Sequence, residues 1–496
     1  MQTQVLGDDY QFMELIHPGA NALVCRAMHL PTKTEVVIKK SWIFWDSDIK
    51  FEHTKRVLRE IHIMHHFEHD CIVRLLHILV PPLADGNLYP TEVYLVYRAL
   101  DTDINTMWQK GEQWLAPEHV EYMMLHLLQG LQYTHSRGVL HRDLKSANVF
   151  VNANCSLTVG DFGWSRGIHS LDDPADFLSA MAASSAVDLY DGPASHPSRP
   201  LRSPPQFFTD ARAKSSSSSS AAAATASSSS ASAATATEFA WSSTAAPSSS
   251  SIAPNLSESR LPSASGASRP PKWPKKRSPA PQNAGAHNNA HTYTAHVQSR
   301  QYRAPELMLS TRGDYGFPID IWSCACIMAD LLSMCPANAA RRSNFLFPGE
   351  FSVFDPAKNP SDYTKEKEQL NVIFRVIGTP TDAEIDAQHP SPAVRDMLRS
   401  LDRHEPQDLK RLYPGASDAA LDLMRGMLAF DPRRRLTVSD ALQHAYFDRY
   451  RSLCDKEAAT KEREPMPNDF EALAPTLDNL LAKFREEIDY FSEFVL

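Results

Sequence analysis

Lys39, Glu60, Asp143, Asn148 and Asp161 are the side chains of this 496-residue chain with the clearest chemical potential. Carboxylate and amide oxygens suit a hard cation, and a lysine ammonium suits an anion. Taken singly, each has a bland explanation. A lysine or glutamate is most often a solvated surface charge, and an aspartate or asparagine in a loop is most often a turn former. What separates these residues from such cases is their company. Four short blocks, Val36-Val-Ile-Lys39, His141-Arg-Asp-Leu-Lys-Ser-Ala-Asn148, Asp161-Phe-Gly163 and Ala304-Pro-Glu306, occur in an order that chance would rarely produce.

The elements that must position them change character along the chain. From Tyr10 to about Leu100 the apolar residues alternate or run in short β-rich blocks, such as Glu35 to Lys39 and Val93 to Tyr97. One helix interrupts these strands, expected over Lys55 to Phe67 with Val57, Ile61 and Met64 at helical spacing. After Asp101 the periods are mainly helical, as in Val120 to His135 and Ile319 to Met334. The chain thus reads as a small strand-rich lobe followed by a larger helical one. Between about Ser170 and Ala290 the composition shifts to unbroken serine and alanine blocks, among them Ser215 to Ser220 and Ala221 to Ala224. Such a stretch buries too little apolar surface to offset the entropy of ordering, so disorder is expected there.

Composition excludes several classes. The chain is 43% hydrophobic and 22% charged, as in globular proteins, which rules out a collagen or coiled coil. A formal charge of -9 leaves no global basic field for nucleic acid. The one dense basic patch is Arg269 to Arg277 in the low-complexity stretch, readable as a nuclear-localisation signal, an anion-docking site or a charged linker. Seven scattered cysteines without a C-x-x-C spacing indicate neither a disulfide framework nor a zinc site. The polar start with Asp8 and Asp9 is wrong for a signal peptide, and the apolar run Ile319 to Met334 is interrupted by Asp320 and Asp330, so a core helix is expected there and no membrane partner. A cytoplasmic protein with access to the nucleus fits these features, and no nucleic-acid partner is expected.

The ordered blocks resemble the signature set of protein kinases. The resemblance implies an α+β, two-lobed protein-kinase fold: a small antiparallel β lobe with one regulatory helix, and a larger, mainly α-helical lobe. It further implies ATP and Mg²⁺ as cofactors. Transfer of a γ-phosphoryl spreads negative charge over oxygens that must be held in line and neutralised. By resemblance, Lys39 grips phosphates and Glu60 pairs with it. Asp143 accepts the proton of the substrate hydroxyl, Lys145 steadies the γ-phosphate, and Asn148 and Asp161 hold the metal.

The runs Thr294 to Glu306, Leu346-Phe-Pro-Gly349, Ile377-Gly-Thr-Pro380 and Asp431 to Leu436 are similar to mitogen-activated protein kinases, as is the tail with Leu477, Leu481, Phe484, Ile488 and Phe491. The implied organisation is a small lobe over 1–100; large lobe, catalytic loop and metal-binding motif over 101–169; an insert in the activation segment over 170–290; the rest of the large lobe over 291–450; and a C-terminal extension over 451–496 packing on the small lobe. Implied nucleotide contacts are Ile16, Gly19, Val24, Val37, the backbone of Arg98 and Leu100, and Asp103 at the ribose. Ser299 would bond Asp143 and Lys145, Glu306 would pair with Arg435, and Asp320 would brace the catalytic loop. Arg59, Arg142 and Arg166 would cage a phosphate on Thr294. The implied partners are protein substrates with Ser/Thr-Pro sites and an upstream activating kinase.

Two departures from the family pattern stand out. The glycine-rich loop reads His17-Pro-Gly-Ala-Asn-Ala22, keeping only Gly19, and Pro18 has no N–H to offer a phosphate. The tyrosine expected after Thr294 is replaced by His296. The first departure raises an alternative class, a pseudokinase scaffold with weakened nucleotide binding. Retention of Lys39, Glu60, Asp143, Asn148 and Asp161 favours catalysis.

Overall fold

The computed structural model describes residues 8–18, 22–44, 48–81, 89–111, 114–167, 299–309, 315–342, 344–349, 364–388, 391–459, 465–467 and 476–492. Five strands, β1 (Tyr10–Pro18), β2 (Ala22–His29), β3 (Thr34–Trp42), β4 (Leu75–Leu79) and β5 (Glu92–Arg98), form one antiparallel sheet in the order β1-β2-β3-β5-β4. Strand side chains alternate between faces. On one face Val36 and Ile38 of β3 meet Cys25, Ala27, Tyr94 and Val96 in a small cluster. On the other, Val93, Leu95 and Tyr97 of β5 join Val57, Leu58, Ile61 and Met64 of α1 (Asp48–His66) in the main core. That alternation sends Lys39 away from Val36 and Ile38, toward α1. The helix begins at Asp48, earlier than the expected Lys55. Thr54, in its early turns, donates its hydroxyl to the carbonyl of Phe44 at 2.8 Å and accepts the Phe44 N–H at 2.9 Å, fastening the helix to the exit of β3.

The remainder is mainly helical, with short strand pairs that frame the loops between them. Strand β6 (Thr102–Asp103) leads into α2 (Ile104–Lys110) and α3 (Pro117–Ser136), followed by β7 (Val139–Leu140), β8 (Val149–Val151), β9 (Leu157–Val159) and β10 (Arg166–Gly167). Gly130 lets α3 pass close to the chain entering β4: a β-carbon there would lie 2.7 Å from the carbonyl oxygen of Cys71. Beyond the insert come α4 (Pro305–Leu309) and α5 (Pro318–Ser333). Every residue of α5 from Ile319 to Ser333 is buried, Asp320 and Asp330 included, which makes it the central helix of this part. Among the described residues no helix is long and apolar enough to cross a membrane. None of the seven cysteines is joined in a disulfide. Arg435 makes a two-pronged ion pair with Glu306 at 2.6 and 2.9 Å, its side chain wholly buried beside Trp322. The low-complexity stretch lies outside the described residues.

The C-terminal helix Leu477–Ser492 packs on α1 and β4, burying Leu480, Leu481, Phe484 and Phe491. Its Glu487 carboxylate is fully buried against the small lobe, where it accepts from His62 Nδ1 at 2.7 Å and His65 Nδ1 at 2.6 Å, with Lys483 Nζ at 3.2 Å. Burial alone would raise this carboxyl. The two imidazoles outweigh it and hold the group at about 2. A carboxyl depressed in the folded state contributes stability above its unfolded range, near 4.5, and loses that contribution as pH falls toward 2. Glu487→Gln should therefore melt lower than the parent at neutral pH and lose less stability between pH 4.5 and 2. Parallel melting curves across that acid range would show that Glu487 does not act this way.

Candidate active site

Three elements deliver one charge cluster. Lys39 Nζ, from the middle of β3, donates to both oxygens of Glu60 on α1 at 2.8 and 2.9 Å, and to Asp161 Oδ1 at 2.9 Å. Burial alone would lower the lysine pKa; Asp161 and Glu60 reverse that and lift it above its usual range. Asp161 is in turn held below the usual carboxylate range, first by the charge of Lys39. It adopts φ 61° and ψ 68°, a left-handed conformation uncommon for a residue with a side chain. The preceding Gly160 fits because a β-carbon there would sit 2.8 Å from the Phe150 ring.

The loop between β7 and β8 carries the second group. Asp143 Oδ2 accepts from Lys145 Nζ at 2.6 Å and from Asn148 Nδ2 at 3.2 Å. Asn148 also donates to the Asp143 carbonyl at 2.8 Å, which commits its amide nitrogen and leaves Oδ1 for a cation. The loop's shape depends on Asp320 of α5. Its fully buried carboxylate accepts the backbone N–H groups of His141 at 2.9 Å and Arg142 at 3.0 Å, together with His135 Nε2 at 3.0 Å. Arg142 is thereby kept at φ 65°, a conformation that costs roughly 1–3 kcal/mol for a non-glycine residue. Burial would raise the Asp320 pKa, but the bonds from His135 and His141 keep it below the normal range.

The expected nucleotide contacts are arranged as follows. Val37 and Lys39 lie on one face of β3; Val24 of β2 pairs with Lys39, and Ile16 is exposed on β1. Leu100 gives its carbonyl to Arg26 Nη2 at 3.2 Å, which leaves its N–H for a ligand. Asp103 is the N-cap of α2, accepting the Thr106 N–H at 2.8 Å and the Thr106 hydroxyl at 2.6 Å, so a ribose contact would share an occupied carboxylate. Arg98 is exposed at the end of β5. The bond expected from Ser299 to Asp143 and Lys145 is not formed: Ser299 begins a 3₁₀ turn in which its carbonyl accepts the Tyr302 N–H at 2.9 Å. Gly19 and Thr294 lie outside the described residues.

The three arginines expected to cage a phosphate come from α1, the catalytic loop and β10, and Arg59 and Arg166 lie near enough to Arg142 to act on its charge. Burial lowers the Arg142 pKa, and the nearby charges of Arg166 and Arg59 lower it further, while Tyr315 opposes them. Arg142 Nη1 donates to the Tyr315 hydroxyl at 3.0 Å, and Nε to the Trp164 carbonyl at 2.8 Å. Three mutually repelling cations suit an anion.

Residues 10–184 and 283–447 match the family model of the protein kinase domain. The chain belongs to the protein kinase family. It is similar to mitogen-activated protein kinase 6 of Arabidopsis thaliana, 27% identical over 456 residues covering 92% of this chain and 76% of that one. It is equally similar to mitogen-activated protein kinase PMK11 of Pyricularia oryzae, 27% identical over 480 residues, 96% of this chain and 90% of that one. The α+β fold is therefore the two-lobed kinase fold, and the enzyme is a serine/threonine protein kinase with mitogen-activated protein kinases as its homologues. Two contributors to this kinase's site were missed in the sequence: His135, which supports Asp320, and Tyr97, whose hydroxyl donates to Glu60 at 2.7 Å. Neither stands in a motif. Tyr97 reads as one more apolar strand residue.

Asp320→Asn keeps one carbonyl-type acceptor where two N–H donors converge. The rate kcat should fall by about ten- to a hundredfold as the loop relaxes, with little change in KM for ATP. Steady-state kinetics with an unchanged kcat would mean that the loop holds its shape without Asp320.

Proposed function

We propose that this kinase transfers the γ-phosphoryl of Mg²⁺-ATP to Ser or Thr followed by proline, as a mitogen-activated type enzyme in intracellular signalling. The observation that carries this reading is the placement of Asp143, with Lys145 and Asn148 on one of its oxygens, in the fold that also assembles Lys39, Glu60 and Asp161. Asp161 and Asn148 would hold Mg²⁺, since their oxygen donors suit a hard cation. A bound magnesium supplies neutralisation of phosphate charge. Asp143 orients the acceptor hydroxyl and takes its proton as that oxygen bonds to the γ-phosphorus and the bond to the β-phosphate oxygen breaks, releasing ADP. Lys145 holds the Asp143 carboxylate through Oδ2, so the other oxygen is the one for the proton. Lys39 turns to the nucleotide phosphates while Glu60 retains its position.

The preference for proline rests on Arg303 before Ala304-Pro-Glu306, which resembles the group that phosphorylates Ser or Thr followed by proline. Activation by an upstream kinase at Thr294 rests on the nearness of Arg59 and Arg166 to Arg142. A phosphate there brings about -1.5 to -2 charges, and its binding would tie the activation segment to the helix that carries Glu60.

Asp143→Asn and Lys39→Met should each abolish transfer from labelled ATP to Ser-Pro and Thr-Pro peptides, and the parent should discriminate against the same peptides with alanine in place of proline. Equal activity in parent and both variants would indicate a contaminant and support the scaffold. Thr294→Ala should remove most activity whereas His296→Ala costs far less. The reverse ranking would discard this activation mechanism.

A further inference from the structure

We propose that Tyr97 is a positioning residue for phosphoryl transfer: its hydroxyl holds the Glu60 carboxylate where that carboxylate can hold Lys39. Tyr97 occupies the penultimate position of β5, paired with Val37 on β3 and Leu75 on β4. Strand alternation places it with Val93 and Leu95 on the face that meets α1. There its hydroxyl donates to Glu60 Oε1 at 2.7 Å, the same oxygen that Lys39 Nζ reaches at 2.8 Å. Both side chains are buried. Burial first, and the Glu60 charge second, push the phenol well above its ordinary range, so the group stays a donor throughout the working pH of the enzyme.

The need for such a donor follows from what Lys39 has to do. Its ammonium is divided between Glu60 and Asp161. A phosphate arriving in the site claims part of the same ammonium, and the hold on Glu60 weakens at the moment the pair is needed. A buried carboxylate that loses a donor pays the desolvation penalty of the unfilled acceptor, or swings away on its helix to find water. Among the described residues the Tyr97 hydroxyl bonds to Glu60 and to no other group. Its donor comes from the sheet that carries Lys39 and crosses to α1, so it ties the two elements through a bond that nucleotide binding leaves in place.

The hydroxyl can be separated from the ring. Tyr97→Phe keeps the packing against Leu75 and Leu95 and deletes only the bond. It should lower kcat/KM for ATP by about tenfold or more, as expected for a hydrogen bond to a charged group. KM for the peptide acceptor should be unchanged and the melting temperature should stay within a few degrees of the parent. Tyr97→Gln packs less well but returns an N–H donor, and should recover part of the rate lost by the phenylalanine variant when both are compared per folded protein. Parent-like ATP kinetics in Tyr97→Phe would overturn the assignment. So would a phenylalanine variant more active than a folded glutamine variant, since ring volume alone would then account for the residue. If the glutamine variant does not fold, the phenylalanine kinetics decide.

Discussion

Lys39 is where the structure converges. Its ammonium can meet Glu60 and Asp161 only if β3, α1 and the loop after β9 are brought to within about 3 Å of one another, and no one of those elements can arrange this for the others. The strand alternation that faces Lys39 toward α1, the apolar row Val57, Leu58, Ile61 and Met64 that seats the helix, and the glycine that lets the chain reach Asp161 all serve the same meeting point. A cation shared between two carboxylates holds its place best while both remain. The ion pair therefore forms only when β3, α1 and the loop after β9 are all in place.

Buried carboxylates recur as the fasteners elsewhere, and their partners decide their character. Asp320 and Glu487 are held below the usual carboxylate range because imidazoles, and for Asp320 a backbone N–H as well, favour the charged form. The Asp330 carboxylate, in the same helix as Asp320, accepts the hydroxyls of Ser146 at 2.6 Å and Tyr302 at 2.7 Å, and burial pushes it up to about 6. Both aspartates of α5 thus bear on the catalytic loop, one at the backbone of His141 and Arg142, the other at Ser146. The interruption of the apolar run by charges, which argued against a membrane span, is the means by which the central helix shapes the site.

The C-terminal helix adds a third anchorage for α1. Glu487 takes two histidines from the face of α1 that looks away from Lys39, and His65 stacks on Tyr490 with ring centroids 3.5 Å apart. The helix that positions Glu60 is therefore held from the sheet by Tyr97 and from the tail by Glu487. These are direct side-chain bonds at opposite sides of one element, and they make its placement a joint property of distant parts of the chain.

Much of this was legible in the sequence because it is local. Period-two alternation marked the strands, helical spacing marked α1 and α5, and the blocks around Lys39, Asp143, Asp161 and Glu306 carry their identity in consecutive residues. The start of α1 at Asp48 was not legible, since the residues before Lys55 lack an apolar period and the helix is secured there by Thr54 bonding back to Phe44. The roles of Tyr97, His135, Tyr315 and Glu487 were not legible either. Each acts through one polar atom whose partner lies far away in the chain, and sequence spacing carries no information about such a pairing. The chain by itself determined which residues could do the chemistry and which elements would carry them. Only the tertiary structure decided how those groups are held, because a hydrogen bond between remote side chains exists only once packing has brought both ends into place.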